Sequence, residues 1–349
     1  MTGQRGRRAT LADVAQMAGV SRATVSKALN GRNDISLQTR ERVLAAVSEL
    51  EYRPTTTTEV VPSRRAIAVV FDVPASPYIL GVLQGVLTAT AESGFDLLTR
   101  LPPDRRSRTQ RAVAHDWVGE QVAAGAVGII ALTLPAPDAL IDAASQAGLP
   151  FVMVDPVGTS DDRMVSVASS NWAGARTATE HLLALGHRRI AWIGGPEVSV
   201  AARDRLYGYQ AALDAAGISV DPDLIRADQF AVATGAAHAR DLLTLAEPPT
   251  AIMTGDDEIA VGVLATAHAL GVRVPEDLSV TGFDDTPQAA WTTPPLTTVH
   301  QHLDGMGAMA VQTIRVMTEG RDPSSRHVEL ATSLTVREST APLRDVKDS

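Results

Sequence analysis

The stretch Thr10-Leu11-Ala12-Asp13-Val14-Ala15-Gln16-Met17-Ala18-Gly19-Val20-Ser21-Arg22-Ala23-Thr24-Val25-Ser26-Lys27-Ala28-Leu29-Asn30 holds two helix starts and one helix stop in a single short run. Thr10 can cap a first helix, and Asp13, three places on, completes a capping-box pattern. Leu11, Val14, Ala15 and Ala18 then share one helical face. Gly19-Val20 makes a tight break, because glycine accepts the positive φ that a turn between helices needs. Ser21 caps a second helix from Arg22 to about Leu29. Ser36 caps a third, through about Leu50, whose Val43, Leu44, Val47 and Leu50 are expected to pack back on the first two. Val25, Ala28 and Leu29 face inward, leaving Arg22, Ala23, Ser26 and Lys27 outward near the start of the second helix. Spacing alone describes a three-helix bundle. A helix, a glycine turn and an exposed cationic helix start is also the arrangement that meets base edges in DNA.

Charge sharpens that choice. Through Arg65 the chain carries 11 Lys+Arg against 6 Asp+Glu, and the remainder carries 20 against 34, for the overall net charge of -9. Neutralising phosphates needs local positive charge, so a basic head on an acidic body suits a DNA-binding module on a body with another task. At 349 residues and 45% hydrophobic the chain is long enough for two or three compact units. It has no cysteine, which excludes a disulfide framework and thiolate zinc and fits a reducing cytoplasm. The basic first residues are followed by a segment broken at Asp13, Gln16 and Gly19 rather than by an apolar run, so secretion is not expected. Residues 122–134, the longest mostly apolar stretch, are too few to cross ~30 Å of hydrocarbon. A cytoplasmic protein with no membrane partner is expected.

Beyond Arg65, strand and helix patterns alternate. Apolar runs at 66–71, 96–101, 128–132 and 151–155 form one series with helices between, and 164–168, 190–194, 251–254 and 278–283 form a second. This is parallel-sheet α/β architecture, and two series predict two similar lobes with a ligand at the carboxyl ends of the strands. Polar residues at those ends are the site candidates: Asp72, Asp155, Gly194-Gly195, Gly255-Asp256-Asp257 and Asp284-Asp285. Carboxylates and an arginine around a crevice suit a polyhydroxy ligand, since a carboxylate accepts from vicinal hydroxyls and a guanidinium donates in a fork. Asp256 and Asp257 also open a helix, where an acid needs no ligand, and Asp257 is assigned that structural role. His187 is read as fixing a loop, and Trp291 as lining the cleft mouth or packing its loop. His300 and His302, flanking Gln301, point only weakly to a metal. No phosphate loop, dinucleotide fingerprint or nucleophile elbow sits at a strand-to-helix turn, so no enzymatic activity, cofactor or metal is expected.

With Thr39-Arg40-Glu41-Arg42-Val43 and Tyr52-Arg53-Pro54, the opening stretch resembles the DNA-binding signature of the LacI/GalR family of transcription regulators. Leu185-Gly186-His187-Arg188-Arg189-Ile190, Gly194-Gly195-Pro196, Arg203-Asp204-Arg205, Gly208-Tyr209, Gly282-Phe283-Asp284-Asp285 and Pro294-Pro295-Leu296-Thr297-Thr298-Val299 resemble its effector-domain blocks. The resemblance implies a lambda-repressor-like, all-α helix-turn-helix over 1–54 and a hinge over 55–65. A periplasmic-binding-protein-like effector and dimerisation domain follows over 66–340, with a tail over 341–349. Within that domain one lobe takes about 66–167 and 302–329, and the other about 168–298 and 330–340.

The resemblance also implies roles. Arg22, Ala23 and Lys27 fall at base-reading positions, and Thr10, Ser21, Thr24, Ser26 and Asn30 at phosphate-contacting ones. Lys27 and Arg22 can donate to guanine O6 and N7, Ala23 offers a methyl-sized contact, and hydroxyls suit phosphate oxygens. Val61 falls at the minor-groove wedge position of a hinge helix, but Thr55 to Thr58 are poor helix formers and Pro62 ends any helix, so the segment reads equally as a flexible connector. Asp155, Arg205, Asp256, Asp284 and Gln301 fall at effector positions, and Phe230 where an aromatic stacks on a sugar face. Asp256 stands where relatives often have Asn, which favours hydroxyl donors on the ligand. Arg205 and Asp284 are expected to clamp it from opposite sides of the cleft. The implied protein is a homodimeric repressor of a sugar-catabolism operon, binding palindromic double-stranded operator DNA under control of a sugar. A purine or phosphorylated metabolite is the alternative effector. A transporter's solute-binding protein is the alternative class, and it has no use for the basic head.

Overall fold

The computed structural model describes residues 10–29, 36–50, 65–71, 76–103, 110–135, 138–158 and 163–344. The chain divides into two compact units, Met1–Ser63 and Arg64–Ser349.

The first unit holds α1 (Leu11–Ala18), α2 (Arg22–Leu29) and α3 (Leu37–Glu49). The capping box forms as spaced: the Thr10 N–H donates to Asp13 Oδ2 at 2.7 Å, and the Asp13 N–H to Thr10 Oγ1 at 3.4 Å. Gly19 ends α1 in the left-handed region, φ 63°, with its N–H returned to Ala15 and Gln16. Arg42 of α3 donates to the Ala18 carbonyl and so fastens the turn. Ser21 and Ser36 each accept an N–H three residues on, from Thr24 at 3.1 Å and Thr39 at 3.2 Å. Val14, Ala15, Ala18, Val25, Ala28, Val43 and Ala46 make the core, with Leu11, Val47 and Leu50 against it. Leu44 does not join them and is 49% exposed. With Val43 inward, the inner stripe continues at Ala46, Val47 and Leu50, and residue 44 is turned about 100° away.

The second unit has two sheets. One is built from β1 (Ala66–Val70), β2 (Asp96–Arg100), β3 (Ala126–Leu132), β4 (Phe151–Val154) and β5 (Val165–Ser169), with α4 (Pro77–Glu92), α5 (Gln110–Ala123) and α6 (Asp138–Gln146). The chain then forms α7 (Asn171–Ala184), β6 (Ile190–Gly194), α8 (Val200–Ala215), β7 (Ile225–Ala227), α9 (Val232–Leu243), β8 (Ala251–Thr254), α10 (Asp257–Ala269), β9 (Ser279–Asp284), α11 (Pro287–Trp291) and β10 (Thr297–His300). It ends with α12 (Leu303–Thr318), β11 (His327–Leu330) and β12 (Ser333–Thr335). The sheet orders are β11-β5-β4-β3-β1-β2 and β12-β10-β9-β8-β6-β7. Both are parallel except that β12 runs antiparallel to β10.

One expectation needs correction: the strand near 164–168 does not open the second series but pairs with β4 in the first sheet. Its alternating Val and Ser residues fit either sheet, so the pattern alone does not name the partner.

The chain passes between the lobes three times, from β5 to α7, from β10 to α12 and from β11 to β12. Helix α12 returns to the first lobe, where Leu303, Met306, Ala310, Val311 and Ile314 complete the core over Ile67, Val69, Ile130 and Val152. It lies so close to α4 that a Cβ on Gly85 would collide with the Asp304 carbonyl. In the second lobe, buried His187 bonds Thr250 at 3.0 Å, Ser279 at 2.9 Å and the Ala341 carbonyl at 3.1 Å. It fixes its loop, as read from the sequence, and holds the end of the chain as well. Among the described residues no helix is long and apolar enough to cross a membrane.

Candidate functional site

Parallel strands deliver their carboxyl ends to one edge of each sheet, and in the second unit these edges border a cavity of about 530 Å³. Tyr78 and Ile79 at the start of α4, Thr133 after β3 and Asp155 after β4 line it from the first lobe. Ser199, Arg205, Phe230, Asp256, Glu258 and Asp284 line it from the second. Thr133, Asp155 and Asp284 have φ of 49°, 44° and 106°, a region that side chains other than glycine rarely adopt and that clusters at functional sites.

Arg205, on α8, is the hub. Its Nε–H donates to Asn171 Oδ1 at 2.7 Å, and its Nη1 donates to the Gly255 carbonyl at 2.6 Å and lies 3.3 Å from Asp284 Oδ1. Its guanidinium carbon sits 3.9 Å from the Phe283 ring centroid and 5.8 Å from that of Phe230, a cation–π placement. Arg205 and Asp284 are therefore an ion pair on one wall rather than a clamp from opposite sides. Both come from second-lobe elements, since α8 follows β6 and Asp284 ends β9, two strands away in the same sheet. The facing wall belongs to Asp155, which accepts the Tyr78 hydroxyl proton at 2.6 Å.

Burial dominates the protonation of these groups. It raises Asp155 and Asp284 above the usual carboxylate range, and Asp256 to about 7, against a smaller downward pull from Arg205. The Tyr78 hydroxyl is pushed up by burial and by Asp155 beside it.

Asp256 has two duties. Its Oδ1 caps α10 by accepting the Ile259 N–H at 2.7 Å, and the residue also lines the cavity. Asp257 is structural, though not as a helix cap: it accepts from the Thr286 N–H at 2.7 Å, the Thr286 hydroxyl at 2.8 Å and the Thr298 hydroxyl at 2.6 Å. Asp285 is occupied by Arg337 at 2.6 Å, His300 at 3.0 Å and Thr335 at 3.1 Å. Gln301 is not part of the cavity wall. It reaches the site through Asp284, whose Oδ1 accepts its Nε2 at 2.5 Å. Trp291 neither lines the cavity nor packs its loop and is 76% exposed. Asp72 lies outside the described residues.

Several contributors were missed in the sequence, among them Glu258, Tyr78 and Asn171. Tyr78 offers only its place at a helix start beyond the first strand, and Asn171 only a polar residue opening α7. Neither position looks unlike a surface helix start until the fold brings the two lobes together.

In the first unit, Arg22, Ala23 and Lys27 are exposed on α2 and Thr24 is half-buried. The Thr10 and Ser21 side chains are engaged as caps, and the Ser21 and Thr24 hydroxyls are 2.8 Å apart. The Ser26 side chain, Asn30, Val61 and most of the 55–65 hinge lie outside the described residues.

Residues 10–55 match the description "Bacterial regulatory proteins, lacI family", and residues 179–340 match "Periplasmic binding protein-like domain". The HTH-type transcriptional regulator CelR of Thermobifida fusca is 35% identical over 345 residues, covering 96% of this chain and 99% of that protein. A structure of the transcriptional regulator CelR–cellobiose complex superposes with a TM-score of 0.71 over 95% of this chain and all of the other, at 35% identity. The Lac repressor dimer bound to operator and the anti-inducer ONPF gives a TM-score of 0.70 over 96% of this chain and all of the other, at 28% identity. With a capped helix-turn-helix, two parallel-sheet lobes and likeness over nearly the whole length, the chain belongs to the LacI family of DNA-binding transcriptional regulators.

Proposed function

We propose that this regulator is a repressor that binds a palindromic operator as a homodimer and changes its hold on DNA when a sugar enters the cavity between its lobes. The observation that carries the reading is the cavity itself, where Asp155 on one wall faces the Arg205–Asp284 pair on the other. Vicinal hydroxyls can donate to carboxylates on both walls while a sugar face rests on Phe230. A ligand that touches both walls favours their approach by its differential affinity for the closer arrangement. Because the structure of a CelR–cellobiose complex aligns over nearly the whole chain, a disaccharide of that kind is the first ligand to try.

In the head, Arg22 and Lys27 read bases, Ala23 gives an apolar contact, and Thr10, Ser21, Thr24, Ser26 and Asn30 meet phosphates. One such head covers too few base pairs for tight specific binding, which supports two heads on a two-fold site. The test is a gel-shift assay of the full chain on DNA upstream of its own gene, with and without cellobiose and other neutral sugars. Loss or gain of the retarded complex with one sugar is the expected result. A response to purines or sugar phosphates alone would overturn the sugar reading.

A further inference from the structure

The side chains that line the cavity carry an imbalance. Among the described residues, Asp155, Asp256, Glu258 and Asp284 contribute four carboxyls against the one guanidinium of Arg205. That guanidinium is already engaged by Asp284, the Asn171 amide oxygen and the Gly255 carbonyl. Three helix starts also border the cavity, those of α4, α8 and α10, and exposed helix N–H groups are where a phosphate or carboxylate would settle. Those of α8 and α10 are taken by the chain's own side chains, whereas α4 opens with Pro77, which has no N–H to give, and its Tyr78 side chain is bonded to Asp155. Ser199 accepts the Ala202 N–H at 3.3 Å, and the Asp256 carboxylate accepts the Ile259 N–H at 2.7 Å. Asp256 thus occupies the place at the start of α10 where an anionic ligand group would settle.

We propose that the cavity selects its effector by charge, admitting a ligand rich in O–H or N–H donors and rejecting one that carries a phosphate or carboxylate, with the Asp256 cap as the principal barrier. The proposal rests on the reading of this cavity as the effector site and narrows the class of molecule that can occupy it. Burial supports it further, since the surroundings that hold Asp155, Asp256 and Asp284 above the usual carboxylate range disfavour a charged ligand group in the same way.

The test has two arms on the full chain. In the first, neutral compounds are paired with their anionic counterparts in calorimetry: glucose with glucose 6-phosphate, cellobiose with cellobionate, adenosine with its monophosphate. Any neutral member that binds should do so at least about tenfold more tightly than its anionic partner. An anionic member binding as well as its neutral partner overturns the proposal while leaving the cavity as the effector site. Binding of the nucleoside but not its phosphate, with no sugar binding, sinks the sugar reading and upholds the charge rule.

The second arm needs no identified effector. Asp256→Gly keeps an acceptable helix cap but vacates the carboxylate's place, so inorganic phosphate should raise the melting temperature of this variant more than that of the parent chain. Phosphate bound elsewhere, as on the basic head, affects both equally. Equal responses would overturn Asp256 as the barrier.

Discussion

Gln301 donates to Asp284 at 2.5 Å, and Gln301 sits on the segment that carries the chain from β10 in one lobe to α12 in the other. Asn171, which accepts from Arg205 at 2.7 Å, opens α7 just after the first crossing. Each member of the ion pair on the cavity wall is thus held by a residue at a crossing between lobes. Under the proposed function, a ligand that displaced the pair would act on residues at two of the three connections.

Removing the Gln301 amide should therefore weaken the effector more than the operator. Gln301→Ala leaves Asp284 one partner short, and a hydrogen bond to a buried charge is worth roughly 1.5–3 kcal/mol. Calorimetry should give an effector Kd raised at least about tenfold, with operator affinity in the absence of effector unchanged. A wild-type Kd would show that Asp284 is positioned by other means.

Operator reading should depend on the two cations of α2. Lys27→Ala should cost ~1–3 kcal/mol on the preferred site and relax selection at one symmetric base pair. Selection from randomised duplexes measures this, and an unchanged preferred sequence would remove Lys27 from the base-reading set.

Asp256 predicts a pH dependence. In the folded chain its carboxyl holds a proton up to about pH 7, against 3.8 as its ordinary value. The folded state therefore binds more protons than the unfolded state between these values, and stability is lost as pH rises through the window. Asp256→Asn removes the titration and keeps the helix cap. Its melting temperature should exceed that of the parent chain at about pH 8, and the difference should shrink as the pH falls toward 4. A constant offset across the range would show that Asp256 is not the group responsible.

Gly85 has no room for a side chain where α4 meets the start of α12. Gly85→Ala should destabilise the second unit by about 1–3 kcal/mol, the usual cost of overpacking. Urea unfolding followed by circular dichroism measures it, and a loss much below that range would mean that the two helices can separate without penalty.

Much of this fold is legible in residue order because its cues are local. The Thr10–Asp13 box, the Gly19 turn and the alternating apolar runs concern neighbours within a few residues. The strand-end carboxylates Asp155, Asp256 and Asp284 could be nominated because parallel sheets put such residues at one edge. What could not be read depends on which lobe a segment joins. The strand at 165–169 has the same pattern for either sheet, and the pairing of Arg205 with Asp284 on one wall follows from sheet order. Tyr78 and Asn171 acquire their significance from partners 77 and 34 residues away. The exposure of Leu44 came from counting one residue too many into a helical stripe.

The return of α12 to the first lobe also orders events during synthesis. Strands β1 to β5 leave the ribosome early, yet the core over them stays open until Leu303 to Ile314 emerge, after almost all of the second lobe has been made. The head depends on no such distant segment, since its core lies within residues 11–50. A nascent chain can therefore carry a finished DNA-reading module while its body is still an incomplete, apolar surface. Chains abandoned at that point expose β-sheet core, the kind of surface that chaperones and proteases engage.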